Sequence, residues 1–313
     1  VVVIMGVITY VPTGSGAWIT PFNDPLHLLC HKLGPAMSAG SAIVAKPSPK
    51  APLAAQMLIT LCQQPGAPKG LIEIVHGGAA AATALAQAPI DLLSFTGGPG
   101  AGLALKRASG LVRSLMELGG NDPLFVMPDA DLEAAAQTAV AQRFEIAGQS
   151  CAAVKKLYVH EDIAAKFTDL LMANVAKVTV GNPADPATTM GTVIDRQAAE
   201  EVEARIDAAC NAGAKKLAGG RRQHTMFDPV VLENVDPSSK LMQEETFGPV
   251  IAMRQFADLT AAADEVNAAG FGLQAGIYTN NHAAIRDLSR RLQVGGLMVN
   301  EGPDFRVEHV PFG

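Results

Sequence analysis

Cys151 closes the segment Gly148-Gln149-Ser150-Cys151, and a carboxylate, Glu117 in Glu117-Leu118-Gly119-Gly120, precedes it by 151 − 117 = 34 residues. A thiol nucleophile and a base are therefore both present. Far upstream, Ile19-Thr20-Pro21-Phe22-Asn23 offers a side-chain amide able to hold an oxyanion, and far downstream stands Glu244-Glu245-Thr246-Phe247-Gly248-Pro249. The thiolate is the reactive form of cysteine, and with a free pKa of about 8.5 it is a minority species at neutral pH unless its site assists. The plain alternative is a small apolar residue used only in packing. That reading suits Cys30, Cys62 and Cys210, which sit within apolar helical patterns. Asn23, flanked by Pro21 and Pro25, suits a turn as well as an oxyanion site.

The rest of the chain must position these groups. At 313 residues it is long enough for about two domains. A composition of 49% hydrophobic, 17% charged and 5% aromatic residues fits buried parallel strands flanked by Ala-rich helices. The net charge of −6 leaves no basic field for nucleic acid or an anionic membrane surface. Four cysteines without a CxxC pair fit a reducing, cytoplasmic setting. The opening Val1-Val2-Val3-Ile4-Met5 is short and lacks a basic start, so it reads as a strand rather than a signal peptide, and no run is long enough to span a membrane. His27 and His31 share a helix face near Cys30, but they lack the intervening Glu of HExxH and any second His/Cys cluster, so no metal is expected.

Short apolar runs alternate with helical stretches, 41–46 with 51–64, 71–75 with 79–87 and 91–95 with 101–109, the pattern of βαβ units. The pattern restarts after Gly119-Gly120 with a strand at 123–127, a helix at 131–147, a strand at 155–160 and a helix at 162–175. Further units of the pattern are expected at 196–211, 258–269 and 282–292, and Asp131 and Asp162 read as N-terminal caps. The fold class is thus α/β, with two doubly wound domains and mainly parallel sheets. One covers residues 1–118, including an N-terminal strand, and the other residues 119–313, carrying Cys151 near its start.

Taken in order, the four blocks around Asn23, Glu117, Cys151 and Glu245 resemble those of the aldehyde dehydrogenase superfamily, and the resemblance runs through nearly the whole chain. It implies that Cys151 adds to an aldehyde carbonyl, that Asn23 and the backbone N–H of Cys151 hold the oxyanion, and that Glu117 activates water against the resulting thioester. It also implies that residues 1–118 form a partial cofactor-binding domain and residues 119–313 the catalytic domain. Against the family the chain is short at both ends, where members carry a stretch that completes the cofactor domain and a tail that helps build a dimer or tetramer. A homo-oligomer is expected when those ends are present.

The same resemblance implies NAD or NADP as cofactor, with Gly97 and Gly98 beside the phosphates, Lys46 and Ser48 near the adenosine ribose, and Glu245 on the nicotinamide ribose with Phe247 nearby. Thr20, Pro21, Phe22, Pro49, Gly77, Phe95, Thr96 and Leu118 complete that set. A strand ending in glycines and opening a helix offers free N–H groups to a pyrophosphate, although the spacing is not GxGxxG. Many NAD-preferring members carry Glu directly after Lys-Pro-Ser; Pro49 stands here, followed by Lys50, which favours dual or NADP-leaning use. The run from Glu117 to Asp131, Gly191 to Asp195, and Phe305-Arg306-Val307-Glu308 look most like the phosphonoacetaldehyde, lactaldehyde and glyceraldehyde-type branch. Arg306 matches an arginine that grips an anionic substrate end, and its fork suits such a group. Ser150 and Asp24 replace an arginine and a histidine of the phosphonoacetaldehyde enzymes, which points to a smaller, singly charged or hydroxylated aldehyde. Phe144, with Arg143, is expected at the mouth of the substrate pocket. Two other readings stand beside this one. A thioester-transferring relative is disfavoured by Glu117, and a structural or interaction protein could have kept the fold without the activity.

Overall fold

The computed structural model describes residues 8–307 and 309–312, so the strand expected at Val1–Met5, Glu308 and Gly313 lie outside the described residues. The chain divides between Leu118 and Gly119 into two compact units.

In the first unit, β1 (Ser15–Ile19), α1 (His27–Ser38), β2 (Ala42–Lys46), α2 (Pro52–Cys62), β3 (Ile72–Ile74), α3 (Ala79–Gln87), β4 (Leu92–Thr96), α4 (Pro99–Ser109) and β5 (Arg113–Glu117) alternate along the chain. The strands pair in parallel in the order β3-β2-β1-β4-β5. Alternate residues feed opposite faces. Trp18, Ile43 and Ala45 pack with Leu29, Leu33 and Ile59 on one side, and Ala17, Ile19, Leu93 and Phe95 with Ala82 and Leu105 on the other. Burial on both faces is why these strands read as continuous apolar runs. The chain moves outward in opposite directions from β1 and β4, so the sheet has its switch point between them, and the carboxyl ends of such strands are where ligands gather.

In the second unit, β6 (Pro123–Val126), α5 (Leu132–Phe144), β7 (Lys156–His160), α6 (Ala164–Val175), α7 (Arg196–Asn211), β8 (Lys215–Ala218), β9 (Arg222–Gln223), β10 (Met226–Phe227), β11 (Val230–Glu233), α8 (Lys240–Gln243), β12 (Val250–Phe256), α9 (Leu259–Ala268), β13 (Gln274–Tyr278), α10 (His282–Arg291) and β14 (Gly296–Val299) follow in turn. Its main sheet runs β14-β13-β6-β7-β12-β11-β8 and is parallel except for β8, which lies antiparallel on β11; β9 and β10 form a small hairpin. One apolar cluster, centred on Phe125, Tyr158, Phe167, Ile251 and Ile277, fills this unit.

The α/β class and the mainly parallel sheets agree with the sequence reading. Several details differ. The helix expected to run to Ala147 stops at Phe144, and a 3-10 turn, Glu145–Gly148, takes over with Ile146 and Ala147 at positive φ. Asp131 caps α5 by accepting from the Ala134 N–H, as expected. Asp162 caps nothing. It lies inside a short 3-10 turn, where His160 Nδ1 accepts its N–H, and α6 begins two residues later. Cys30 is exposed rather than packed, because it falls on the outer face of α1; Cys62 and Cys210 do rest against the apolar clusters. Among the described residues no helix is long and apolar enough to cross a membrane.

Candidate active site

The candidate residues of the first unit gather along the carboxyl edge of its sheet. Ile19 pairs with both Lys46 and Phe95, and Thr96 pairs with Glu117, so the turns leaving β1, β2, β4 and β5 start side by side. Thr20, Pro21, Phe22 and Asn23 form the turn from β1 into α1. Lys46, Pro47, Ser48 and Pro49 leave β2, and Gly77 with φ +146° follows β3. Gly97 and Gly98 join β4 to α4, and Leu118 follows Glu117 out of β5. Lys46 is buried and its ammonium donates to the Pro47 carbonyl at 3.0 Å, while Ser48 Oγ accepts from Lys50 N–H and Lys50 lies 5.7 Å from the Phe22 ring.

Two features of this edge suit an anionic nucleotide. Gly98 is the N-cap of α4 and provides no side-chain acceptor, so the first amides of that helix keep free hydrogens, and a Cβ at Gly98 would meet nothing within 4 Å. Thr20 Oγ1 is buried without a hydrogen-bond partner. A buried hydroxyl left so carries a desolvation cost of about 1–3 kcal/mol, which a ligand would remove. Beside them, Lys32 on α1 donates to Ser94 Oγ at 2.8 Å; burial pushes its ammonium down to about 8, and the Glu117 charge opposes that shift. Lys32 was not singled out from sequence, where it is one lysine on an amphipathic helix.

In the second unit the candidates collect at the amino edge of the sheet, ahead of β6, β7 and β12. Cys151 lies between the 3-10 turn and β7, Gly119-Gly120-Asn121-Asp122 leads into β6, and Glu244–Pro249 leads into β12. Gln149 braces the Cys151 segment with its whole amide. Its Nε2 donates to the Ile146 and Thr192 carbonyls at 2.9 and 3.3 Å, and its Oε1 accepts from Ile194 N–H at 2.8 Å. Those contacts tie Thr192 and Ile194 to the Cys151 segment. Gly148 packs on the Gly248 carbonyl, where a Cβ would overlap, and at Gly120 a Cβ would lie 2.5 Å from the Cys151 carbonyl oxygen.

Beneath Cys151 lies a buried set of charges. Glu245 accepts from Gly120 N–H at 3.1 Å and stands 3.7 Å from the Lys155 ammonium, which donates to the carbonyls of Ser150 and Cys151 at 2.7 and 2.6 Å. Burial pushes Glu245 up and Lys155 down, each partly offset by the other's charge. Burial likewise pushes Asp122 up to about 8 against the opposing Lys155 charge, and one of its oxygens has no hydrogen-bond partner. The Cys151 thiol is pushed up to about 11, first by burial; Lys155 opposes this, while Asp122, Glu245 and Asp304 add to it. Ser150 Oγ donates to Asp304 at 3.4 Å, and Phe247 is half-buried after Glu245.

Phe144 and Arg143 do not stand at a pocket mouth as expected. Phe144 is buried in the core of the second unit because it lies on the inner face of α5, and Arg143 beside it is fully buried, donating to the carbonyls of Thr246 and Gly248. Arg143 therefore braces the segment that carries Glu245 rather than lining a mouth. Arg306 is exposed, its guanidinium 5.1 Å from the Phe312 ring. Sequence reasoning missed Lys155, Asp122 and Asp304. A lysine pair opening the apolar run Lys155-Lys156-Leu157-Tyr158-Val159 is the available signal, because a charge there must either be solvated or find a buried partner.

A cysteine set on a buried carboxylate and lysine, in a chain whose other unit ends its sheet in an uncapped glycine turn, defines an α/β protein with a thiol centre and a nucleotide-type edge. The chain belongs to the aldehyde dehydrogenase family, whose model matches residues 4–313. It is 40% identical over 310 residues to a sulfoacetaldehyde dehydrogenase of Neptuniibacter caesariensis, covering 99% of this chain and 68% of that protein. It is 38% identical over 305 residues to a 3-sulfolactaldehyde dehydrogenase of Priestia aryabhattai, covering 97% of this chain and 64% of that one. Among solved structures, a glyceraldehyde-3-phosphate dehydrogenase of Methanocaldococcus jannaschii complexed with NADP superposes with a TM-score of 0.93 at 34% identity, covering 97% of this chain and 67% of that one. The chain thus spans 64% to 68% of the length of these relatives.

Proposed function

We propose that the chain oxidises a small aldehyde to its carboxylic acid with NAD or NADP, using Cys151 as nucleophile. The observation that carries this reading is the Cys151 segment itself, braced by Gln149 and seated on Glu245 and Lys155. The sulfur adds to the aldehyde carbon and the thiol proton leaves, giving a thiohemiacetal whose oxyanion the Asn23 amide and the Cys151 N–H stabilise. Donors aimed in advance at such a charge contribute about 3–4 kcal/mol each. The nicotinamide supplies the hydride acceptor. Loss of hydride leaves a thioester on Cys151, and water deprotonated by Glu117 attacks it, releasing the acid and the thiol. Gly97, Gly98, Thr20 and Lys46 would hold the nucleotide phosphates and ribose, with Glu245 and Phe247 at the nicotinamide end.

The substrate in this reading is a small aldehyde bearing one negative charge or a hydroxyl group, with Arg306 at its far end. Asp304 beside Ser150 disfavours a doubly charged phosphonate, and relatives named for sulfoacetaldehyde and sulfolactaldehyde support a singly charged end. A cytoplasmic homo-oligomer belongs to the same proposal, and native mass tests the oligomer.

The test is the appearance of reduced cofactor by absorbance with a panel of small aldehydes, run on this chain, a full-length form and Cys151→Ala. Signal that depends on Cys151, together with a single turnover in Glu117→Gln, is the expected result. No signal from the full-length form with any aldehyde overturns the reading.

A further inference from the structure

Lys155 has no part in the reaction as just written, yet it is the most committed side chain around the nucleophile. It is fully buried, two of its three N–H bonds go to the carbonyls of Ser150 and Cys151, and its nearest carboxylate is Glu245 at 3.7 Å. Its main chain is fixed too, since the N–H groups of Lys155 and Lys156 both donate to the Asp122 carbonyl at 3.0 and 3.2 Å. On the other side Gly120 closes the same arrangement. Its N–H donates to Glu245 Oε1, and its bare Cα leaves room for the Cys151 carbonyl. Ser150 and Cys151 of the nucleophile segment, the segment ahead of β6 and the segment ahead of β12 are thus tied at one ammonium. A lysine in this setting cannot be replaced by a neutral residue without leaving two carbonyls and a carboxylate short of a donor.

We propose that Lys155 is a positioning residue for the Cys151 chemistry: its ammonium ties the main chain of the nucleophile to the Glu245 carboxylate and offsets the charge that this carboxylate sets against the thiol. The inference rests on Cys151 being the nucleophile. Charged groups that act on Cys151 among the described residues include Lys155 at the head of β7, Asp122 ahead of β6, Glu245 ahead of β12 and Asp304 after β14. Those that face Lys155 are Glu245, Asp122, Arg143 of α5 and Cys151 itself, and Lys155 in turn acts on Lys156. Among these groups, the carboxyls of Asp122, Glu245 and Asp304 are set against the Lys155 cation at the sulfur. Removing the cation makes the thiolate rarer, and removing the Glu245 charge makes it commoner.

The experiment measures the rate of iodoacetamide alkylation of Cys151 against pH, without aldehyde or cofactor, in a Cys30→Ser/Cys62→Ser/Cys210→Ser background. Lys155→Met is expected to alkylate about ten-fold more slowly than the parent at each pH below the midpoint, as a rise of about one pH unit requires. Lys155→Arg is expected to restore most of the rate, and Glu245→Gln to raise it above the parent. A merely structural lysine would not give opposite signs in the two variants. A folded Lys155→Met with the parent's profile overturns the proposal. Should Lys155→Met not fold, Glu245→Gln decides, since an unchanged or slower rate there overturns it equally. A chain that shows these shifts but oxidises no aldehyde would refute the proposed function and leave the role of Lys155 intact.

Discussion

At the residue scale, chemistry in this chain depends on charges set against one another, and the cofactor end shows it most simply. Pro49 is exposed directly after Ser48 at the carboxyl edge of the first sheet, and Lys50 lies near Phe22. No carboxylate is contributed by the residue following Lys46-Pro47-Ser48. Two like charges about 4 Å apart repel by roughly 1 kcal/mol in water and about 4 kcal/mol near a protein surface. Pro49→Glu is therefore expected to lower kcat/KM for NADP relative to NAD by roughly ten-fold or more. Steady-state kinetics with both cofactors checks it, and an unchanged ratio would mean that this position does not meet the 2′-phosphate. The legible and the hidden residues divide along similar lines. Cys151, Glu117, Asn23 and Glu245 could be read because each sits in a short run of distinctive neighbours. Lys155, Asp122 and Asp304 could not, because a charged residue in a sequence is by default a solvated one, and only tertiary packing makes these three neighbours of the thiol.

At the scale of elements, the helix at 79–87 falls where the sequence pattern placed it, and the unit expected at 196–211 is a helix, because apolar spacing and clear breakers coincide at both ends. The 3-10 turn before Cys151 shows where local propensity loses. Ala-rich α5 would run on, but Gly148 must pack on the Gly248 carbonyl and Gln149 must reach Ile194, so the chain reverses hand at Ile146 and Ala147, with φ of 49° and 53°. A β-branched residue in the left-handed region is a genuine outlier and costs about 1–2 kcal/mol. Ile146 is also exposed, so little packing is lost by changing it. Asparagine, which tolerates this conformation, is the natural relief. Ile146→Asn is expected to raise thermal stability by about 1 kcal/mol, or roughly 2–4 °C for a unit of this size. Calorimetry reads the shift; a lower melting temperature would show that the isoleucine side chain contributes more than its backbone strain removes. The hairpin of β9 and β10 and the edge strand β8 escaped the sequence reading for a different reason. They are two to four residues long, and runs that short carry no period.

At the scale of the whole molecule, each unit has its own sheet and its own apolar core, and the proposed chemistry is divided between them by sequence. Asn23, Glu117 and the glycine turn of the nucleotide edge belong to the first, Cys151 and Glu245 to the second. The sequence boundary is legible because Gly119-Gly120 interrupts the alternation of strands and helices. The use of opposite sheet edges is not, since the direction in which a turn faces is set by register: Ile19 against Lys46 and Phe95 in one unit, Lys156 against Pro123 and Ala252 in the other. One consequence can be tested directly. Lys155, Asp122, Glu245 and Asp304, which act on the Cys151 thiol, lie after residue 118. A fragment of residues 119–313 is therefore expected to melt cooperatively, since a single cluster fills it, and to alkylate at Cys151 with the pH dependence of the intact chain. The thiol pushed up to about 11 makes that rate climb about ten-fold per pH unit between pH 7 and pH 10 in both. The same fragment is expected to reduce no NAD or NADP with any aldehyde, because Asn23, Glu117 and the Gly97-Gly98 turn, the proposed oxyanion amide, base and phosphate site, are absent from it. Calorimetry, alkylation rates and absorbance together separate the outcomes. A cooperative fragment with a displaced alkylation profile would mean that groups before residue 119 set the acidity of Cys151, and a fragment without cooperative melting would mean that the cluster around Phe125 and Tyr158 is not by itself a sufficient core.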